Sequence, residues 1–90
     1  MYKIRILDSA KKELAKLSKP IAQKVVKRIR WLGDNLEHIN PTPLKGQLSD
    51  FYKLRTGDYR VLYEILHDEK EVVIHLIGHR KDIYRKRKRN

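Results

Sequence analysis

The chain has no cysteine, which removes disulfide frameworks, thiolate metal sites and thiol nucleophiles together. No stretch approaches the roughly 20 consecutive apolar residues of a membrane span. The opening MYKIRIL is too short and too charged for a signal peptide, so a cytoplasmic protein with no membrane partner is expected. Carboxylates are scarce: 11 Asp and Glu face 22 Lys and Arg, a formal net charge of +11. His38, His67, His75 and His79 are not read as a metal set, and neither metal nor cofactor is expected. Proline and glycine are few, and Pro41, Pro43 and Gly46 fall between Glu37 and Leu48, which reads as a connection inside one domain. With 90 residues, 40% of them hydrophobic, residues 1–90 are expected to form a single domain. A small, strongly basic domain suits nucleic acid or an acidic protein as its partner.

Short-range order is plentiful. From Tyr2 to Leu7, Tyr2, Ile4 and Ile6 alternate with Lys3 and Arg5, the pattern of a half-buried strand. Asp8 and Ser9 offer side-chain oxygens to the first orphan amides of a helix, and Ala10, Leu14 and Leu17 continue it at helical spacing. Ser18-Lys19-Pro20 ends that helix and opens another, since proline suits a first helical position. There Ile21, Val25, Ile29, Leu32 and Leu36 form an apolar stripe, with Lys24, Lys27, Arg28 and Arg30 away from it. Gly33 either ends this helix or sits within its last turn. Helices joined this tightly are expected to form a hairpin lying on a sheet. Strands follow at Phe51–Arg55, Tyr59–Leu66 and Glu71–Ile77, separated by Thr56-Gly57-Asp58 and His67-Asp68-Glu69-Lys70. The basic run Arg85-Lys86-Arg87-Lys88-Arg89 comes last.

The turns set a register. With Gly57 and Asp58 central, Arg55 faces Arg60, Leu54 faces Val61 and Lys53 faces Leu62. With Asp68 and Glu69 central, Ile65 faces Val72, Tyr63 faces Ile74 and Val61 faces Leu76. One sheet face then collects Tyr52, Leu54, Val61, Tyr63, Ile65, Val72, Ile74 and Leu76 as the core. The other carries Phe51, Lys53, Arg55, Arg60, Leu62, Glu64, Val73 and His75. Arg55 opposite Arg60 is a like-charge pair that costs stability and invites an anion. Gly78-His79-Arg80 is expected to bring an imidazole and a guanidinium to the same end of the sheet, with Tyr84 four residues on. These are the groups that RNA cleavage uses: guanidiniums that fork onto phosphate oxygens, a base for the 2′-hydroxyl, and an aromatic ring to stack a nucleobase.

Three segments, Leu44-Lys45-Gly46, Phe51 to Tyr63 (FYKLRTGDYRVLY) and Ile77 to Tyr84 (IGHRKDIY), resemble the RelE/ParE toxin superfamily of type II toxin–antitoxin pairs. The likeness covers nearly the whole chain. It implies an α+β fold of order βααβββ: an N-terminal strand, an α-helical hairpin packed on an antiparallel β-sheet meander, and a short basic C-terminal segment. RelE-type members are metal-free endonucleases that cut messenger RNA in the ribosomal A site by 2′-hydroxyl attack on the adjacent phosphate. By resemblance, Arg60 matches the arginine that stabilises the strained phosphate, Arg80 the leaving-group acid or phosphate clamp, and Tyr84 the tyrosine that orients the nucleotide. Lys53 matches one lysine of a basic pair whose other position is Phe51 here, a departure that leaves the general base open. Arginine is always charged and a poor proton shuttle, so Lys53 or His79 is the base, Lys53 ahead because it shares the face of Arg60. Lys45, Arg55, Lys81 and Arg85 are read as RNA contacts. The resemblance further implies a RelB-like antitoxin that brings carboxylates and an apolar helix, a toxin–antitoxin heterotetramer, and the ribosome with its messenger RNA as target. The alternatives are a ParE-like inhibitor of DNA gyrase and a non-catalytic RNA binder.

Overall fold

The structure, a computed structural model, describes residues 1–88, with side chains described through Arg85. Arg89, the end of the basic run, and Asn90 lie outside the described residues. The chain runs β1 (Lys3–Ile6), α1 (Asp8–Lys16), α2 (Lys19–Asn35), β2 (Thr42–Pro43), β3 (Tyr52–Thr56), β4 (Tyr59–Leu66), β5 (Glu71–His79) and α3 (Ile83–Lys88), with short 3₁₀ turns at Leu36–His38 and Gly46–Leu48. The strands form one sheet in the order β1-β5-β4-β3-β2. β3, β4 and β5 make the expected antiparallel meander, and β1 joins it parallel to β5. The fold is therefore α+β with a mixed sheet. A parallel edge needs a crossover, and the α1–α2 hairpin is part of it.

The helix boundaries follow local chemistry. Leu7 is the N-cap of α1 and Asp8 falls in its first turn, where its negative charge favours the positive helix end. Pro20 lies within the first two positions of α2, as its missing amide hydrogen allows. Gly33 lies inside α2, which settles the open choice. A β-carbon there would stand 2.9 Å from Ile4 Cδ1 and 2.9 Å from the Tyr2 carbonyl oxygen. The glycine lets α2 approach β1 closely, and its own carbonyl accepts the Tyr2 N–H at 3.0 Å.

The core lies between the helices and one sheet face. Ala10, Val25, Ile29, Leu32 and Leu36 meet Leu54, Val61, Tyr63, Val72, Ile74 and Ile77 there. The first hairpin has the expected register, with Arg55 opposite Arg60 and Gly57 at φ +58 in the first central turn position. The second begins as expected, with Ile65 opposite Val72 and Tyr63 opposite Ile74. It then departs: a bulge at Leu62/Tyr63 pairs Leu62 with Leu76 and Val61 with Ile77, leaving His75 as the extra residue. The expected Val61–Leu76 pairing is thus corrected. Ile77 joins the core instead of Leu76, because one extra residue reverses the facing of everything beyond it.

Candidate active site

The sheet face away from the core gathers Lys53, Arg55, Arg60, Leu62, Glu64 and Val73. Arg60 is central to it and only 8% exposed. Its Nη1 donates to the Gly57 carbonyl at 2.8 Å and to the Tyr59 carbonyl at 2.9 Å. The carbonyls of the β3–β4 turn therefore hold the guanidinium at one nitrogen. Nε and Nη2, the edge that can fork onto a phosphate, make no hydrogen bond among the described residues. Across β3 stands Arg55, exposed; across β5 stands Gly78, which contributes no side chain beside Arg60. The like-charge pair is relieved by turning Arg60 onto carbonyl dipoles rather than by a carboxylate.

Arg80 reaches the same turn from the end of β5. Its backbone N–H donates to the Asp58 carbonyl at 2.8 Å, and its Nε lies 3.6 Å from Asp58 Oδ1. Both side chains of that ion pair are mostly exposed, so the pair adds little stability and leaves the guanidinium available. Lys53 is half-buried opposite Leu62 on the face of Arg60. Tyr84 is the second residue of α3, after Ile83, whose complete burial anchors the helix. Lys45, Lys81 and Arg85 are exposed.

His79 is elsewhere. It pairs with Tyr59 at the end of β5, ring centroids 5.5 Å apart, on the helix-packed face. It is at the end of the sheet where the sequence placed it, but the bulge turns it to the face opposite Arg60. Its Nδ1 accepts the Lys81 N–H at 3.2 Å, so a neutral ring carries its proton on Nε2. His75, the bulged residue, is on the arginine side instead: Nε2 meets Glu64 Oε1 at 3.1 Å and the ring meets Phe51 edge to face at 4.8 Å. The aromatic departure at Phe51 thus packs on a histidine. Among the described residues no three His, Asp or Glu side chains gather as a metal centre requires.

This geometry has relatives. The sequence profile of the family described as ParE toxin of type II toxin-antitoxin system, parDE, matches residues 4–84. The chain belongs to the RelE/ParE toxin superfamily. Toxin RelG of Mycobacterium tuberculosis is 36% identical to this toxin over 87 residues, covering 94% of this chain and 98% of the relative. A RelE-like toxin protein of Escherichia coli is 31% identical over 87 residues, covering 92% and 90%. Among solved structures, a chain of the toxin–antitoxin complex RelBE2 from Mycobacterium tuberculosis superposes with TM-score 0.79 at 30% identity, over 87% of this toxin and 96% of that chain. The isolated Escherichia coli RelE toxin superposes with TM-score 0.71 at 25% identity, over 88% and 84%. Among the described residues no helix is long and apolar enough to cross a membrane.

Two contributors to the candidate site escape a residue-by-residue reading. Asp58 looks like an ordinary turn residue, yet its carbonyl fixes Arg80. Gly78 looks like a strand end, yet it faces Arg60. The sequence signal for both is their place beside an arginine in the paired register.

Proposed function

We infer that this toxin is a ribosome-dependent messenger RNA endonuclease that cuts in the A site, inhibits translation and is restrained by an acidic RelB-like antitoxin. The observation that carries the reading is Arg60: buried like a core residue, clamped at one nitrogen by turn carbonyls, with its Nε/Nη2 edge left for an anion. Holding a guanidinium rigid before the substrate arrives is how charge developing at phosphorus is stabilised without reorganisation. In the reaction the 2′-oxygen attacks phosphorus, the bond to the 5′-oxygen breaks, and the products are a 2′,3′-cyclic phosphate and a 5′-hydroxyl. Arg60 would hold the non-bridging oxygens, Arg80 would clamp the phosphate or attend the leaving oxygen, and Tyr84 would orient the nucleotide. Lys53 is the better candidate for the 2′-hydroxyl proton, because His79 lies on the opposite face with Nδ1 already engaged.

Primer extension on a defined messenger, with and without programmed ribosomes, tests this. Cuts confined to A-site codons are expected, and Arg60→Ala is expected to lower the rate about 10²–10³-fold, the usual effect of removing one preorganised charge stabiliser. A messenger left intact on programmed ribosomes would overturn the reading. The family description, which names ParE, favours one second reading, inhibition of DNA gyrase without chemistry. A supercoiling assay in which the toxin blocks gyrase and Arg60→Ala still does so would establish that alternative.

A further inference from the structure

Trp31 is the sole tryptophan of the chain, and with Met1 it makes up the exposed large apolar side chains of the described residues. Trp31 is 38% exposed on a helix whose apolar stripe is turned into the core, and what marks it is the charge gathered around it. Arg28 lies against it, the guanidinium carbon 4.1 Å from the ring centroid. Lys24, Lys27, Arg28 and Trp31 stand at i, i+3, i+4 and i+7, so they form one stripe along α2 beside the core stripe.

Two concavities meet at the Arg28–Trp31 pair. One, of about 260 Å³, runs to the β3 edge, where Lys53 and Arg55 line it. The other, of about 360 Å³, is lined by Lys24, Lys27 and Thr56. Among the described residues no carboxylate lines either. β2 pairs with Tyr52 and Lys53, so among the described residues the outer edge of β3 beyond Lys53 runs along this trough without a strand partner. Thr56 lines the second concavity, and its Oγ1 is buried with no hydrogen-bond partner among the described residues.

We propose that this trough between α2 and the edge of β3 is a single-stranded RNA track, in which a base stacks on Trp31 and the flanking phosphates are held by Lys24, Lys27, Arg28 and Arg55. It rests on the reading of the toxin as an RNA-acting protein and adds a docking path to it. Lys53 and Arg55 belong to both places, so a strand in the trough leads round the β3 edge onto the arginine face. An acidic protein segment would match the charge alone. The flat indole with a guanidinium on it matches a nucleobase, because every base has a face to stack.

The lone tryptophan makes the test direct. The full chain is titrated with a short 2′-O-methyl RNA, which cannot be cut because its 2′-oxygen is blocked, while Trp31 fluorescence and RNA anisotropy are followed together. Saturable quenching is expected, with affinity falling as salt rises. By anisotropy, Trp31→Leu is expected to weaken binding about 5–150-fold, the range for a lost base stack. Lys24→Ala with Lys27→Ala is expected to shallow the salt slope by about 1.4, two phosphates at about 0.7 each. RNA that binds without changing Trp31 fluorescence, or fails to bind at all, overturns the track. A hexaglutamate peptide that quenches Trp31 more strongly than the RNA also overturns it, in favour of a protein partner. Cleavage is scored separately with programmed ribosomes. Arg60-dependent cutting with a silent Trp31 sinks the track and spares the endonuclease, whereas quenching without any cutting does the reverse.

Discussion

The two faces of the sheet are made by alternate residues of the same strands, and they treat charge in opposite ways. On the helix face Leu54, Val61, Tyr63, Val72, Ile74 and Ile77 form part of an apolar cluster with α1 and α2. On the arginine face Leu62 and Val73 are equally buried, at 1% and 2% exposed, but outside that cluster, and Arg60 is buried among the strands with them. Burial therefore does not distinguish the faces; the retention of guanidiniums does. Apolar packing on one side fixes the register, and the register forces Arg55 and Arg60 to stand opposite each other on the second. A one-residue slip that separated them would carry the core residues into the wrong face. The fold thus maintains a costly charge arrangement by tying it to a larger apolar gain.

The contrast can be broken first on the helix face. Leu32→Ala removes a fully buried side chain and is expected to cost about 2–5 kcal/mol in urea unfolding. A loss below about 1 kcal/mol would show that the helices do not hold the register. At high pH the same face has a second weak point. Burial, aided by Tyr52, pushes the Tyr63 hydroxyl up to about 12. The unfolded tyrosine ionises near pH 10, so this stability is complete below about 10 and is lost as pH rises through 12. Solvent screening reduces the effect, so the full loss is at most on the order of 2 kcal/mol. Thermal melts of Tyr63→Phe are expected to fall less between pH 10 and 12 than those of the parent. Parallel curves would exclude Tyr63 as the cause.

Closer to the helix–sheet seam, Gly33→Ala gains about 1 kcal/mol of helix propensity. It also drives a β-carbon to 2.9 Å from the Tyr2 carbonyl oxygen, an overpacking cost of about 1–3 kcal/mol, so a net loss near 1 kcal/mol is expected by denaturant titration. The smallest effect sharpens the contrast most. His79→Gln, on the helix face, is expected to change cleavage by less than about threefold, whereas Lys53→Gln, beside Arg60, costs about 10²–10⁴-fold if it is the base. The reverse order in single-turnover cleavage would move the base to the other face.

Much of this was legible in the residues. The Tyr2 to Leu7 alternation, the Ile21 to Leu36 stripe and the Gly57-Asp58 turn each encode their element locally, and the first hairpin register follows from them. The second hairpin was legible only as far as Ile74. Beyond it His75-Leu76-Ile77 places two apolar residues side by side, so either parity satisfies the pattern, and the sequence cannot say which of Leu76 and Ile77 faces inward. The same ambiguity leaves the face of His79, two residues further on, open to the sequence. The pairing of β1 with β5 was equally hidden, since a six-residue alternating stretch has no local mark of its neighbour.

The sequence by itself determined the periods of β1, α1, α2 and the β3–β4 hairpin, and that Arg55 meets Arg60 across a tight turn, but not the short β2 or α3. These are short-range matters, fixed by backbone geometry and the spacing of apolar side chains. Only the tertiary structure decided how Arg60 is held, that Asp58 pins Arg80, that His79 turns away and that Trp31 lies beside the β3 edge. Those depend on one bulge and on the docking of α2 against the sheet. Their energies come from contacts between residues far apart in the chain, to which no local pattern is sensitive.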